Sequence, residues 1–262
     1  LHKRIYEIMA IDISKRPDGP IRKFTIPQKR KPGITSDLLK LIAIIAMTVD
    51  HIAWAFVPFG SIAGQLMHVI GRLTAPIMCF MVAEGYYKTR NVKKYAIRLG
   101  IFVLISHFPY VFFSSGRFYL IHQTSVMFPL LLGLAALVVR DSPKYEPTVK
   151  NMIILVICLI SMVGDWGAVA VIWILIFSAC RFDRKRQMKN FCAVSALYIL
   201  LDFIYCAAMG QWYHDLFQLG VFLAVPLLMS YNGVRKGGKA YKWLFYVYYP
   251  AHLALLAVLR YM

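Results

Sequence analysis

Acidic residues are scarce. The 262-residue chain holds 12 Asp and Glu against 30 Lys and Arg, and charged residues of both signs make up only 16% of it. Soluble domains carry about 25% charged and 45–50% apolar residues, whereas 60% of this chain is hydrophobic and its mean hydropathy is +0.60. Lipid has to solvate that excess. Cysteine is also sparse: Cys79, Cys158, Cys180, Cys192 and Cys206 fall within or at the ends of apolar segments, with no CxxC spacing. That excludes a disulfide or zinc framework, and the lack of HExxH or any other zinc-ligand spacing leaves no metal expected. No internal repeat is evident, which weighs against inverted-repeat transporters. The first 34 residues contain no apolar h-region. They read as a basic cytoplasmic tail (1–35) with a short amphipathic start at Leu1–Ala10, followed by a membrane domain (36–262).

What is abundant is apolar sequence of spanning length. Helices are expected near 37–59, 64–87, 94–114, 121–140, 150–164, 166–181, 189–209, 214–231 and 242–260. The fifth and sixth are short for a bilayer that needs about 20 residues, so they read either as two short spans or as a re-entrant pair. Basic residues crowd into the tail and into the breaks near 88–98, 140–150, 181–189 and 235–242; elsewhere stand only Lys40, Arg72, Arg117 and Arg260. Alternation of basic and nearly bare loops is the positive-inside pattern. It predicts an all-α polytopic bundle of nine spans, N-terminus inside and C-terminus outside, in a bacterial-type cytoplasmic membrane. The net charge of +18 is then a topology signal, and no nucleic-acid partner is expected.

Ionisable residues inside a membrane are costly and mark function. At roughly 1.5 Å per residue, Asp50, His51, Arg72, His107, Asp202 and Gln218 all lie about 20 Å from the cytoplasmic side, with Asp165 and Ser125 near the same depth. Asp50 and His51 are helical neighbours whose side chains point about 100° apart, so they cannot both face one point. In the structural reading, an Asp50–Arg72 ion pair locks the first two helices and His51 bonds between helices. In the catalytic reading, His51 is a general base in a water-accessible cavity, oriented by a carboxylate.

Two further features stand out. Lys88, Arg90, Lys93, Lys94 and Arg98 lie among Tyr86, Tyr87 and Tyr95 at the cytoplasmic face. Topology alone asks for cations there, but the cluster would also suit the phosphates of a nucleotide carrier. Tyr248-Tyr249-Pro250-Ala251-His252 places a proline inside the last helix, which frees a backbone carbonyl beside a histidine. His68, His107 and His122 read as structural.

These residues carry a resemblance. Asp50-His51, Gly71-Arg72-Leu73 with Pro76-Ile77 and Phe80, Glu84-Gly85-Tyr86, Thr89, Lys94-Tyr95, Arg98, Ser106-His107-Phe108-Pro109, Tyr231-Asn232-Gly233 and Tyr248 through Leu253 together resemble the TraX family. The likeness covers about 36–260 and is weak from 140 to 190. Conjugative-plasmid members of that family acetylate the pilin N-terminus. The resemblance therefore implies acetyl-CoA as cytoplasmic donor and an amine or hydroxyl acceptor at the outer half of the membrane, on a peptide or an envelope molecule. It implies His51 as the catalytic residue, with Asp50 and Arg72 beside it. Lys88, Arg90, Lys93, Lys94, Arg98, Tyr249 and His252 would then contact the donor. A proton-coupled transporter that uses Asp50, His51 and Asp202 as a relay is the alternative.

Overall fold

The computed structural model describes residues 32–119, 123–211 and 215–262. The expected tail up to residue 31, including its start at Leu1–Ala10, and His122 lie outside the described residues. Among those described the chain is helical, and strand pairing is limited to isolated bridges of Ile34 with Tyr231 and Thr124 with Gly164.

Helix α1 (Ser36–Phe56) begins at Thr35, whose hydroxyl accepts from the Leu38 N–H at 3.3 Å. Such a cap satisfies one of the donors every helix start leaves open. The helix stops at Val57 because a residue before proline, here Pro58, is pushed out of the helical region. The second expected span is one apolar run but two helices, α2 (Ile62–Gly71) and α3 (Thr74–Lys88). Pro76 lies in the first turn of α3, and its ring would clash with the carbonyl of Arg72 in an unbroken helix. The break therefore falls at Arg72-Leu73 and sets Arg72 at a helix end.

Helix α4 (Val92–Ser115) is capped by the Asn91 side chain on the Lys94 N–H and closes at Gly116, φ 67°. Three short helices follow, α5 (Met127–Asp141), α6 (Pro147–Ser161) and α7 (Gly167–Ala179). The fourth expected helix thus starts later than its apolar run, at Met127. Thr124 ahead of it bonds instead to the α6–α7 turn: its N–H donates to Val163 O at 2.9 Å and its carbonyl accepts from Asp165 N at 2.8 Å. Helix α8 (Arg184–Ala208) is capped by Asp183. The eighth expected helix is a 3-10 helix, Leu216–Leu223, running into α9 (Ala224–Met229). Pro226 cannot supply the α-helical bond to Phe222, and the switch between the two geometries occurs there. Helix α10 (Lys239–Tyr261) completes the bundle.

Among the described residues, four stretches are long and apolar enough to cross a bilayer: Ser36–Phe56, Ile62–Lys88, Val92–Ser115 and Arg184–Ala208. Helices α6 and α7 span only about 20 Å each at 1.5 Å per residue, against a hydrocarbon core of about 30 Å. Helix α3 is the hub and packs on α1, α5, α7 and α9. Within the Ile62–Lys88 stretch 72% of the apolar window is buried, but in α8 only 17%, so α8 is peripheral. Outward faces are apolar, as Leu104 (71% exposed), Leu155 (60%) and Leu201 (59%) illustrate. Faces of that kind are stable against lipid. The chain is an integral membrane protein.

The basic breaks meet at one end of this bundle. Lys88 donates to Tyr231 OH (2.7 Å) and Gly233 O (2.9 Å), and the Arg184 guanidinium lies 5.7 Å over the Tyr231 ring. Arg140 donates to Ser178 Oγ at 2.8 Å. Asp37 accepts from the N–H groups of Lys236 and Gly237 at 2.7 Å. At the other ends of α4 and α10, Tyr261 and Arg260 reach the Phe113 carbonyl.

Candidate active site

Asp50 and His51 diverge as helical geometry requires. Asp50 faces α2: its Oδ2 accepts from Arg72 Nη2 at 2.9 Å, and its Oδ1 lies 2.8 Å from His68 Nδ1. Asp50 and Arg72 side chains are each only 11% exposed, and the His68 side chain is fully buried. Gly71 permits this closeness, since a Cβ there would come within 2.3 Å of Asp50 Cβ. Arg72 also reaches Gln218 Oε1 at 3.5 Å. Its guanidinium lies 5.1 Å from the Trp166 ring and 4.9 Å from the Phe217 ring. Trp166 holds φ at +67°, a region that costs any side chain but is occupied where the surroundings impose it. The Arg72 Nε–H is buried without a partner among the described residues. An unfilled buried donor is destabilising, and it is the kind of group that can receive developing negative charge.

His51 faces α10. Its Nδ1 lies 2.7 Å from His252 Nε2, and His252 Nδ1 lies 2.9 Å from the Tyr248 carbonyl. Phe113 and Tyr249 pack against the His51 ring with centroids at 5.4 and 6.5 Å. The carboxylate expected to orient His51 is therefore occupied elsewhere; another imidazole takes that place, because adjacent helical side chains cannot share one partner.

The remaining polar residues of the expected layer divide. His107 contacts Thr124 Oγ1 and Tyr119 O, both at 3.3 Å. Asp202 groups with Cys206 and Asp215, their ligand atoms within 4.8 Å of one another. Arg72 and Gln218 stay with Asp50. His68, read as structural, is the residue the layer gains: it lies within the same helical pair, but sequence spacing alone could not orient it toward Asp50.

Toward the basic end, with its nearest lining residue on α3, Met78, about 9 Å along the helix from Arg72, lies a cavity of about 500 Å³ whose rim carries Lys40, Lys88, Arg90, Arg98 and Arg235. Its floor is apolar, with Met78, Met81, Leu99, Met127 and Leu130. Of the residues assigned to a donor from sequence, Lys88, Arg90 and Arg98 line it. Lys93 and Lys94 are outside its lining, Tyr246 stands where Tyr249 was expected, and His252 lies with His51. Lys40 and Arg235 were not anticipated; they come from the first helix and the last loop, and only the fold brings them to Arg98. Lys88 is already committed, to Glu84 Oε2 (2.9 Å), Tyr231 OH and Gly233 O. An ammonium has three donors, so its role is to hold the rim. The Arg98 guanidinium lies between Tyr95 and Tyr246 at 5.2 and 5.3 Å, with its Nε unpartnered among the described residues.

The chain is 34% identical over 229 residues to "Probable fimbrial assembly protein FimC, serogroup H1" of Dichelobacter nodosus, covering 83% of this chain and 92% of that one. It is 40% identical over 72 residues to the uncharacterized protein RP591 of Rickettsia prowazekii (strain Madrid E), 26% of this chain and 27% of that protein. No solved structure matches. Residues 35–260 match the family described as TraX protein, and every motif noted above falls within that span: the chain belongs to the TraX family.

Proposed function

We propose that this protein is an acetyl-CoA-dependent acyltransferase of a bacterial cytoplasmic membrane. On this reading it moves an acetyl group from the cytoplasmic side to an amine or hydroxyl at the outer half. The observation that carries the reading is the cation-rimmed cavity with an apolar floor, one to two helical turns from Arg72 along α3. A rim of Arg90, Arg98, Lys40 and Arg235 suits the phosphates of a nucleotide carrier, and an apolar floor suits the narrow arm that bears the thioester. Arg98 is held at this rim between the Tyr95 and Tyr246 rings.

In the proposed step the neutral acceptor amine loses a proton to His51 while its nitrogen bonds to the thioester carbonyl carbon. The carbonyl oxygen becomes negative and is met by the Arg72 Nε–H. The C–S bond then breaks, and the leaving thiolate takes the proton from His51. An acyl-His51 intermediate is the second mechanistic route. The fimbrial name of the relative favours a pilin-like peptide as acceptor. The short α5, α6 and α7 would leave the outer half of the membrane open for such a chain to reach Arg72 and Trp166.

The broken second span favours one other reading, since discontinuous helices recur at transporter sites. In a proton-coupled transporter Asp50, His51 and Asp202 would relay the proton. Purified protein in lipid nanodiscs given radiolabelled acetyl-CoA separates the two: hydrolysis or transfer to an amine-bearing peptide is expected for the enzyme. No turnover and no CoA binding would end the acyltransferase reading.

A further inference from the structure

We propose that His252 is a positioning residue that selects the tautomer of His51, leaving His51 Nε2 as the proton-accepting nitrogen. This deepens the acyltransferase reading by saying which atom of the base acts and what holds it ready.

The argument starts at the Tyr248 carbonyl. A carbonyl oxygen only accepts, so the 2.9 Å contact from His252 Nδ1 requires a hydrogen on that nitrogen. A neutral imidazole carries one hydrogen, so His252 Nε2 is then a bare lone pair. The 2.7 Å contact to His51 Nδ1 in turn needs a donor, and that hydrogen must belong to His51. A neutral His51 with its hydrogen on Nδ1 has a free lone pair on Nε2, where no hydrogen bond is formed among the described residues. The two ring planes differ by only 19° at a centroid separation of 4.9 Å, nearly the largest separation a 2.7 Å N···N contact allows. The bond therefore runs along the rings and not across their faces.

His252 is held in turn. Tyr248 stacks on it with the planes 9° apart and centroids at 5.0 Å, and Tyr248 OH is fixed by Thr48 Oγ1 at 2.8 Å, one turn before His51 on α1. Thr48 also donates to the Ile44 carbonyl at 2.8 Å, so its hydroxyl accepts from Tyr248. The chain of donors thus runs from Tyr248 OH to Thr48 on one side and from His51 to the Tyr248 carbonyl on the other. Other charged groups near His51 are Asp50 on α1 and Arg72 at the end of α2. Both are committed to each other, and neither contacts the imidazole. When His51 takes the acceptor's proton, its Nδ1–H still donates to His252, so the charge is stabilised without a buried carboxylate.

The test uses the full chain in nanodiscs with histidine labelled by 15N. Nitrogen chemical shifts should report His51 protonated at Nδ1 only. In His252→Leu they should report a mixture or the opposite tautomer, and His252→Gln, which can accept from His51 and donate to Tyr248, should restore the Nδ1 form. Wild-type His51 found protonated at Nε2 overturns the proposal. This readout needs no turnover, so it fails independently of the acyltransferase reading. Where acetyl transfer is measured, His252→Leu should lower kcat on the order of 100-fold with KM for acetyl-CoA unchanged, well short of the ~10⁴-fold loss where an orienting partner enforces the wrong tautomer, because Leu removes the bias without imposing the opposite one. His252→Gln should recover most of it. A rate loss that His252→Gln does not recover, or one that appears as a raised KM for acetyl-CoA, would make His252 a structural or donor-contact residue and overturn the assignment.

Discussion

At the residue scale, Gly71 is the point on which the Asp50–Arg72 pair depends. A methyl group there would overlap Asp50 Cβ, Cγ and Oδ1, all within 2.4 Å, so α2 would have to move away from α1. Gly71→Ala is expected to destabilise by about 1–3 kcal/mol, the usual cost of overpacking, seen as a lower thermal midpoint in detergent. Asp50→Ala should cost more, about 3–5 kcal/mol, because it strands the buried Arg72 charge. A ranking with Gly71→Ala worse than Asp50→Ala would contradict the ion pair as the stronger term. His51→Gln tests catalysis instead. A lost interhelical bond in a membrane is worth only about 0.6 kcal/mol, so the fold and CoA binding should survive, while the transfer rate should drop about 100-fold or more. A well-folded His51→Gln protein with near-normal rate would move the search for the base to His107 or His252.

At the scale of elements, the two ends of the second span do different work because Pro76 divides them. Helix α3 is nearly encircled, with Ala75 to Glu84 buried without a gap, and it gives the cavity Met78, Met81, Val82, Gly85 and Lys88. Gly85 is needed where the Tyr95 hydroxyl comes within 3.0 Å of its would-be Cβ. The cavity separates cations that topology alone would treat as equal. Arg90→Ala, Arg98→Ala and Arg235→Ala should each weaken CoA binding by about 1.5–3 kcal/mol, the worth of a hydrogen bond to a charged group, or roughly 10- to 150-fold in Kd by calorimetry. Lys93→Ala and Lys94→Ala, whose side chains lie outside the lining, should leave Kd within a few-fold. Equal losses from all five would assign the binding to bulk charge.

At the scale of the whole molecule, gathering of the basic breaks at one end of the bundle gives the topology a concrete test. Single cysteines at Gly60 and Arg117, both exposed, should react with an impermeant maleimide added to intact cells. Cysteines at Lys93 and Lys185, also exposed, should react only after the membrane is opened. Labelling of Lys185 from outside would sink the nine-span orientation, and with it the placing of a donor cavity on the cytoplasmic side.

Much of this molecule was determined along the chain. Apolar runs, caps at Thr35, Asn91 and Asp183, and the clustering of cations are local properties, so the helices and their segregated basic ends follow from composition and periodicity. Pro76 held the information for the broken span as well, although a continuous apolar run masked it. Tertiary structure alone decided partners. Whether Asp50 would face His51, His68 or Arg72 depended on which way α1 rotated against α2 and α10. His252 is some two hundred residues from His51, and Lys40 and Arg235 are as far apart. A side chain's direction on a helix is readable only to within an error comparable to the angle between neighbours, whereas a hydrogen bond demands contact within about 3 Å. That precision comes only from packing.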